Sequence, residues 1–399
     1  MDTWRRLLLA VVCGVAVASV YAAQPVLEPM GRDLGVPAEL TGWIVATGQF
    51  GYLAGLVLLV PLGDVTDRRR LIAAHLALTA AGLAVTASAA ATAAWTAFAG
   101  LAAAGLFAVV VQTAVAYAAS VSPPAERGRN IGVVTSGVVV GILGARVVTG
   151  ALAEAWGWRS VYATLAALSL GLSALVLAVL PPEERPARAA GYGRAVVALG
   201  GLFGERLFLT RGLIAFFLFA SFGTLWSGLS LPLSAAPWRL DESQIGLFGV
   251  AGLAGALGAA RAGRWADRGR AAPVTGLALV LLLLSWAAIA QLPRSLALLA
   301  AGVVLLDFAV QAVHVSNQHL LTAAHPERTS AAIGGYMVFY SLGSALGAAT
   351  TTAAYAAHGW PGPTLLGAAF ALCALTVWAV GRRFTSAGYS PAHGDFRVR

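Results

Sequence analysis

One phrase occurs twice in this chain, 200 residues apart. Gly63, Asp67 and Arg68 in GDVTDRRR return as Gly263, Asp267 and Arg268 in GRWADRGR, each time in a basic gap between two long apolar runs. A repeat on this scale constrains the fold more than any single residue does, because two like segments must each build a like structural unit. The pairing continues: Glu126 and Arg127 in PPAERGRNIG match Glu327 and Arg328 in HPERTSAAIGG, and Gly157 and Trp158 match Gly359 and Trp360. Two similar halves are therefore expected.

What each half is made of follows from composition. The chain is 59% hydrophobic and only 11% charged, with a mean hydropathy of +0.79, whereas soluble domains carry roughly 25% charged residues. It reads as an all-α membrane protein. At 1.5 Å rise per residue, about 20 apolar residues cross a hydrocarbon core roughly 30 Å thick. Twelve such runs are read, at 5–27, 38–62, 71–90, 95–120, 130–153, 159–180, 207–232, 243–262, 273–291, 295–320, 330–353 and 362–382.

Basic residues in short loops set orientation. There is no Lys, so Arg carries the signal. With a cytoplasmic N-terminus, the inside holds Arg5, Arg6, Arg68 to Arg70, Arg127, Arg129, the arginines from Arg185 to Arg211 and from Arg261 to Arg270, Arg328 and the tail arginines. The outside holds only Arg32, Arg159, Arg239 and Arg294. Both termini are thus expected in the cytoplasm. The net charge of +9 and the pI near 10.2 are explained by topology, and nucleic-acid binding is not required. Arg5 and Arg6 before an apolar run ending near Val20 and Ala22 could mimic a secretory signal peptide, but removing that run would leave the first half one helix short. Cys13 and Cys373 fall inside apolar runs and suggest neither a disulfide nor a metal site.

Between the halves, PPEERPARAAGYGR from Pro181 to Arg194 reads as a solvated linker. The stretch from Ala195 to Phe203 suggests a short interfacial helix. The expected organisation is a first six-helix bundle over 1–181, a cytoplasmic linker over 182–206 and a second bundle with a short tail over 207–399.

Six plus six spans, a central cytoplasmic loop and this motif after spans 2 and 8 resemble the major facilitator superfamily over nearly the whole chain. The family pattern is Gly, three residues, Asp, Arg, one residue, Gly and then basic residues. The first copy has Arg70 at the second Gly position, and the later copy places Gly269 one position early. The phrases GILGARVVTGALAE, GWRSVY, DFAVQAVHVSNQ and YMVFYSLGSALGA look like bacterial efflux-type members. The resemblance implies that Gly63, Asp67, Arg68, Gly263, Asp267 and Arg268 latch the cytoplasmic side when the cavity faces outward. Physically, Gly63 and Gly263 permit close helix approach, and Asp67 and Asp267 can meet arginines or a helix N-terminus. The plainer alternative is that these charges only set topology and a tight turn.

Span 10 carries the sharper signal. Asp307, Gln311, His314 and Gln318 are spaced by 4, 3 and 4, which places them within an arc of about 60° on one helix face, with Asn317 at its edge. An acid at the bilayer centre costs about 2.5 to 3.5 kcal/mol even on insertion scales, so the stripe must face protein or water. A transport cavity is one environment; a buried polar network is the other. Asp307 lies about 18 Å from the external end at helical rise. Burial raises a carboxyl pKa and a nearby cation lowers it, which makes Asp307 the first candidate for proton coupling. His314, an imidazole that titrates near neutral pH, is the second.

Arg146 in span 5 is the other charge expected to be buried. It implies a carboxylate partner or an anionic substrate, and Asp307 is the acid left by elimination. Span 5 also carries Gly132, Gly137, Gly141, Gly144 and Gly150, resembling the glycine-rich motif of drug–proton antiporters. Ala145 and Arg146 stand where that motif would have Pro, so close helix packing is the alternative meaning of the glycines.

Tyr21, Gln24 and Pro25 in span 1, Gln49 in span 2, Gln112 and Tyr117 in span 4, Trp226 in span 7, and Tyr336 and Tyr340 in span 11 are further cavity candidates. Aromatic rings with sparse amides suit a moderately apolar organic molecule, although packing serves each residue as well. Pro25 can bend span 1. Trp43, Trp95, Trp158, Trp238 and Trp360 lie near predicted membrane boundaries, and most of them are assigned to an interfacial belt.

The expectation is a monomeric secondary transporter in a bacterial cytoplasmic membrane, exporting a small organic molecule on the proton gradient by alternating access, with no cofactor or metal. No phosphate-cradling GxxxxGK[ST] is present. The alternatives are a proton-linked importer of a sugar, nucleoside or organic anion, a lipid-active membrane enzyme, and a non-transporting sensor. The enzyme would need its acids and histidines at one interface, whereas His75, His314, His319, His325 and His358 scatter over different depths.

Overall fold

The computed structural model describes residues 2–64, 66–123, 126–182, 200–258, 271–325 and 329–387. Gly263, Asp267, Arg268, Glu327, Arg328 and linker residues 183–199 lie outside the described residues. Among those residues the chain is helical throughout, without strands. Ten helical segments are long and apolar enough to cross a bilayer by length and composition, and Pro273–Ile289 is a shorter apolar helix.

The first half holds α1 (Thr3–Tyr21), α2 (Leu27–Leu34), α3 (Gly42–Leu58), α4 (Arg68–Ala87), α5 (Trp95–Phe107), α6 (Val110–Ser120), α7 (Arg127–Trp156) and α8 (Trp158–Val179). The second holds α9 (Arg206–Gly228), α10 (Ser230–Ser234), α11 (Glu242–Gly246), α12 (Phe248–Gly258), α13 (Ala271–Ile289), α14 (Leu296–Ala324), α15 (Thr329–His358) and α16 (Pro361–Ala387). Polar residues mark the starts. Asp2 accepts from the Arg5 amide at 2.9 Å, Asp67 from Arg69 at 3.0 Å, Ser295 from Leu298 at 3.3 Å, and Asp241 closes a capping box with Gln244. Gly35, with φ of 66°, ends α2 in the left-handed conformation that side chains avoid.

Several expected spans differ in detail among the described residues. The first ends as a helix at Tyr21 rather than at 27; residues 22–26 form a turn around Pro25, which cannot supply a helical N–H. The fourth is divided at Ala108 and Val109 into α5 and α6.

Helix pairing repeats between halves. In the first, α1 packs on α7, α3 on α5, and α4 on both α5 and α8. In the second, α9 packs on α15, α12 on α14, and α13 on both α14 and α16. The sequence repeat maps these sets onto each other. Across the seam α3 meets α15, and α7 meets α11 and α12.

The Gly-Trp repeat has a structural counterpart as well. Gly157 and Gly359 take positive φ of 78° and 61° at helical corners. The following Trp158 and Trp360 are 3% and 5% exposed, which corrects their assignment to an interfacial belt. Their indole N–H groups donate to Asp33 at 3.0 Å and to the Ile289 carbonyl at 3.0 Å. Trp238 donates to the Leu292 carbonyl at 3.1 Å, while Trp43 and Trp95 are exposed.

The starts of α1, α7, α9 and α15 and the ends of α14 and α16 share one face, which we call the terminal face. Arg6 donates to Asn130 at 3.1 Å, Arg211 to Asn317 at 3.3 Å, and Gly381 abuts Thr210. At the far face the halves close tightly. The Gly42 amide donates to Thr352 Oγ1 at 3.1 Å, and that hydroxyl donates to the Glu39 carbonyl at 3.0 Å. A Cβ on Gly42 would stand 2.0 Å from the Ala348 carbonyl oxygen, and one on Gly150 would stand 2.3 Å from that of Glu242.

The five glycines of span 5 therefore have separate duties. Gly137 and Gly141 admit α1, since a Cβ on them would lie 2.0 Å from the Ala10 oxygen and 2.4 Å from the Gly14 oxygen. Gly150 closes the seam. Gly132 has nothing within 4 Å and Gly144 only a Val140 methyl at 3.7 Å, so close packing does not account for them.

Candidate functional site

Where α1 gives way to its turn, Gln24 is carried to the seam and is 2% exposed. Arg146 on α7, also 2% exposed, reaches it: Nε and Nη2 donate to Gln24 Oε1 at 3.1 and 2.7 Å, while Nη1 donates to the Ile142 carbonyl at 2.9 Å. The guanidinium Cζ lies 3.7 Å from the centroid of the Trp226 ring on α9, close enough for a strong cation–π contact. Phe222 and Tyr21 flank it at 5.7 and 5.9 Å. Arg146 thus joins α1 and α7 of one half to α9 of the other.

Asp307 on α14 is 3% exposed and its Oδ2 has no hydrogen-bond partner. It lies beside the edge of Trp226: a Cβ built on Gly252 would be 2.9 Å from both Asp307 Oδ2 and Trp226 Cζ2. Asp307 and Arg146 are neighbours through this indole, but they form no direct ion pair. Gln24, a neutral amide, takes the position that sequence reasoning reserved for a carboxylate. An amide in a turn carries no charge signal, so elimination among acids could not find it.

The remaining stripe divides. His314 Nδ1 meets the Tyr336 hydroxyl at 3.0 Å, and its Nε2 lies 3.1 Å from Gln318 Nε2. With the Gln318 amide in this orientation its nitrogen donates, so His314 Nε2 accepts and the ring proton is assigned to Nδ1. Phe219 stands edge-on to His314 at 5.3 Å, with Tyr340 at 6.1 Å. The Tyr340 hydroxyl bonds that of Tyr21 across the seam, so this cluster touches the first. Gln311 is half-buried on the helix between them.

Asn317, fully buried, belongs to a third group, accepting from Arg211 Nη1 at 3.3 Å. Arg211, counted with the cytoplasmic arginines and already within the expected span 207–232, sits inside α9. Farther along, the two ring nitrogens of His325 face the Leu321 carbonyl at 3.0 Å and Glu205 Oε2 at 2.6 Å. That pair joins the end of α14 to the start of α9, and spacing alone did not single it out.

Other candidates serve the first half. Gln112 donates to the Tyr52 hydroxyl at 3.1 Å, and Tyr117 donates to the Pro181 carbonyl at 2.8 Å. Gln49 is fully buried with both amide atoms unpartnered. Of the loop motif, Asp67 caps α4 and has Arg70 Nε at 3.8 Å, while Arg69 donates to the Leu177 carbonyl on α8. A Cβ on Gly63 would find Arg68 Nε at 3.7 Å, ordinary contact distance, so no close helix approach requires this glycine.

At the seam lies a small, partly open pocket lined by Gln24, Pro25, Arg146, Trp226, Leu229, Ser230 and Ile245. Charged, aromatic and amide groups from both halves thus converge on one space, the kind of place where ligands bind between helices of bundles.

Known proteins match this chain along its length. The family model for the Major Facilitator Superfamily matches residues 9–236 and 212–397. The chain is 40% identical over 372 residues to the uncharacterized transporter YgaY of Escherichia coli O157:H7, covering 93% of this chain and 94% of that one. It is 31% identical over 310 residues to the chloramphenicol resistance protein of Streptomyces lividans, covering 73% and 74%. The solved structure of a bacterial homolog of the human lysosomal transporter Spinster, inward-facing and unoccupied, has the same fold, with a TM-score of 0.80 at 16% identity over 98% of this chain and 99% of that one. With its two halves matched and a relative this similar over nearly its full length, the chain belongs to the major facilitator superfamily, a family of multi-pass membrane transporters.

Proposed function

We propose that this transporter exports a small organic molecule, a drug or a metabolite, across the cytoplasmic membrane of a bacterium, driven by protons moving inward. Twelve helices cross the bilayer as two units, residues 1–181 and 207–399, joined by 182–206, with both termini in the cytoplasm and the chain working as a monomer. The arginine-rich loops on the terminal side support that orientation. The proton gradient supplies the energy, and the cycle calls for no bound cofactor.

The observation that carries this reading is the placement of Asp307 and Arg146, buried on opposite halves beside one indole without being tied to each other. An acid without a fixed partner can hold a proton in one arrangement of the halves and release it in another. The seal at Gly42 and Gly150 lies at the far face. A site closed there opens toward the cytoplasm, the side from which an exporter loads. Rocking the halves would separate α3 from α15 and bring the terminal ends of the helices together. The name of the S. lividans relative, a resistance protein, favours export.

The test is flux in proteoliposomes under an imposed pH gradient. Asp307→Asn should abolish proton-driven movement while leaving the protein folded; flux equal to that of the unaltered protein removes Asp307 from the mechanism. A second reading, import of an organic anion, is favoured by Arg146, whose side-chain hydrogen bonds go to a neutral amide and not to a carboxylate. Accumulation in inside-out rather than right-side-out vesicles separates the two directions.

A further inference from the structure

Hydrogen-bond capacity around the seam pocket is unbalanced, and the imbalance has a sign. Gln24 Oε1 accepts both Nε and Nη2 of Arg146, which fixes the oxygen end of that amide. Its Nε2 is therefore a donor, and it is buried without a partner. A guanidinium has five N–H groups, and Gln24 and the Ile142 carbonyl occupy three of them. Two remain. Ser230 Oγ is likewise buried and unpartnered. These groups line one pocket whose other walls, Pro25, Leu229 and Ile245, are apolar. Donors and one full positive charge meet there, and no carboxylate lines it.

We propose that this pocket is an oxyanion subsite, and that the transported molecule carries a carboxylate, sulfonate or phosphonate attached to an apolar, flat body. The inference rests on the transporter reading above and narrows its substrate class. Water would satisfy the free donors but would not neutralise the buried guanidinium, whereas an anion does both. Asp307 is near enough to attract the guanidinium, but it makes no hydrogen bond to Arg146 and is not among the residues that line the pocket. The Trp226 face that covers the guanidinium offers its surroundings to an aromatic ring.

The purified full chain can be tested without transport. Benzoate, benzenesulfonate and phenylphosphonate are compared with benzamide, which matches benzoate in shape but lacks its charge, by thermal shift and by tryptophan fluorescence at constant pH. At least one of the anions should raise the melting temperature, and benzamide should not. Gln24→Glu changes shape little and gives Arg146 a carboxylate of its own, so anion affinity should fall about tenfold or more. Ser230→Ala, a smaller change should Gln24→Glu fold poorly, should weaken binding by about threefold to tenfold. Benzamide acting like benzoate, no response to any of the three anions, or unchanged affinity in a folded variant overturns the proposal. Flux of neutral or cationic compounds without anion binding would refute this subsite and leave the transporter reading standing. Anion binding without any flux would do the reverse.

Discussion

Gly42→Ala should force the far face open. The added Cβ would lie 2.0 Å from the Ala348 carbonyl oxygen, 2.8 Å from Thr352 Oγ1 and 3.1 Å from the Ala348 carbonyl carbon. The nearest of these is a backbone atom, which cannot swing aside, so α3 and α15 must separate by about 1 Å or more to restore contact near 3.5 Å. Overpacking of this kind costs about 1 to 3 kcal/mol. The same movement stretches the Gly42–Thr352 hydrogen bond beyond its present 3.1 Å, losing about 1 kcal/mol more. Together, about 2 to 4 kcal/mol is removed from the far-closed state alone, a shift of roughly 30- to 1000-fold in the equilibrium between far-closed and far-open forms. Distance distributions between spin labels on the far ends of α3 and α15 would report it, with Cys13 and Cys373 first replaced. Gly171→Ala is the control, since nothing lies within 4 Å of that position. A distribution that stays unchanged in Gly42→Ala would refute the idea that this contact holds the halves closed.

Two further changes separate packing from charge. Gly137→Ala, whose Cβ would meet the Ala10 oxygen at 2.0 Å, should lower thermal stability by about 1 to 3 kcal/mol. Gly132→Ala, with open space around it, should be neutral or gain up to about 1 kcal/mol from helix propensity; equal effects in a melting assay would contradict this division of the glycines. Hydrogen bonds from Trp158 and Arg159 hold the Asp33 carboxyl below its ordinary value. A depressed carboxyl stabilises above its unfolded pKa of about 4 and loses that contribution as pH falls through the folded value. The stability advantage of the unaltered protein over Asp33→Asn should therefore be present at neutral pH and shrink below about pH 4. It should also be small and salt-sensitive, because half of the Asp33 side chain is exposed.

The fold was legible because its signals are local and repeated. Apolar runs long enough to span a bilayer and the Gly-Trp pairs sit in contiguous sequence, and both have structural counterparts among the described residues. The candidate site was legible in its charges. Asp307 and Arg146 stood out because ionised groups in apolar helices are rare, and both are buried at the seam. What sequence could not supply was partnership. Whether Arg146 bonds Asp307 or Gln24 depends on how the turn after Tyr21 meets α7, a contact between segments more than 100 residues apart. Ser230, a small hydroxyl in an ordinary context, gave no signal at all. Trp158 and Trp360 were misassigned for the same reason: a Trp near a helix end suits a lipid interface as well as a buried corner.

The seam pairs α3 with α15 and α7 with α12, and the repeat maps one pairing onto the other. This is the geometry of an isologous dimer interface, in which one surface recognises a rotated copy of itself, here written into a single polypeptide. A true homodimer with an acid on its axis would present two acids to each other, and the same would hold for an arginine. Like charges so placed cannot both stay ionised cheaply. Fusion lifts that restriction. By the repeat's offset, Asp307 stands where the first half has Leu106 (307 − 106 = 201), and Arg146 where the second has Gly347 (347 − 146 = 201). One anion and one cation can then stand near the same seam, where symmetry would have given two of either, and each half becomes free to change one residue without having it copied in the other.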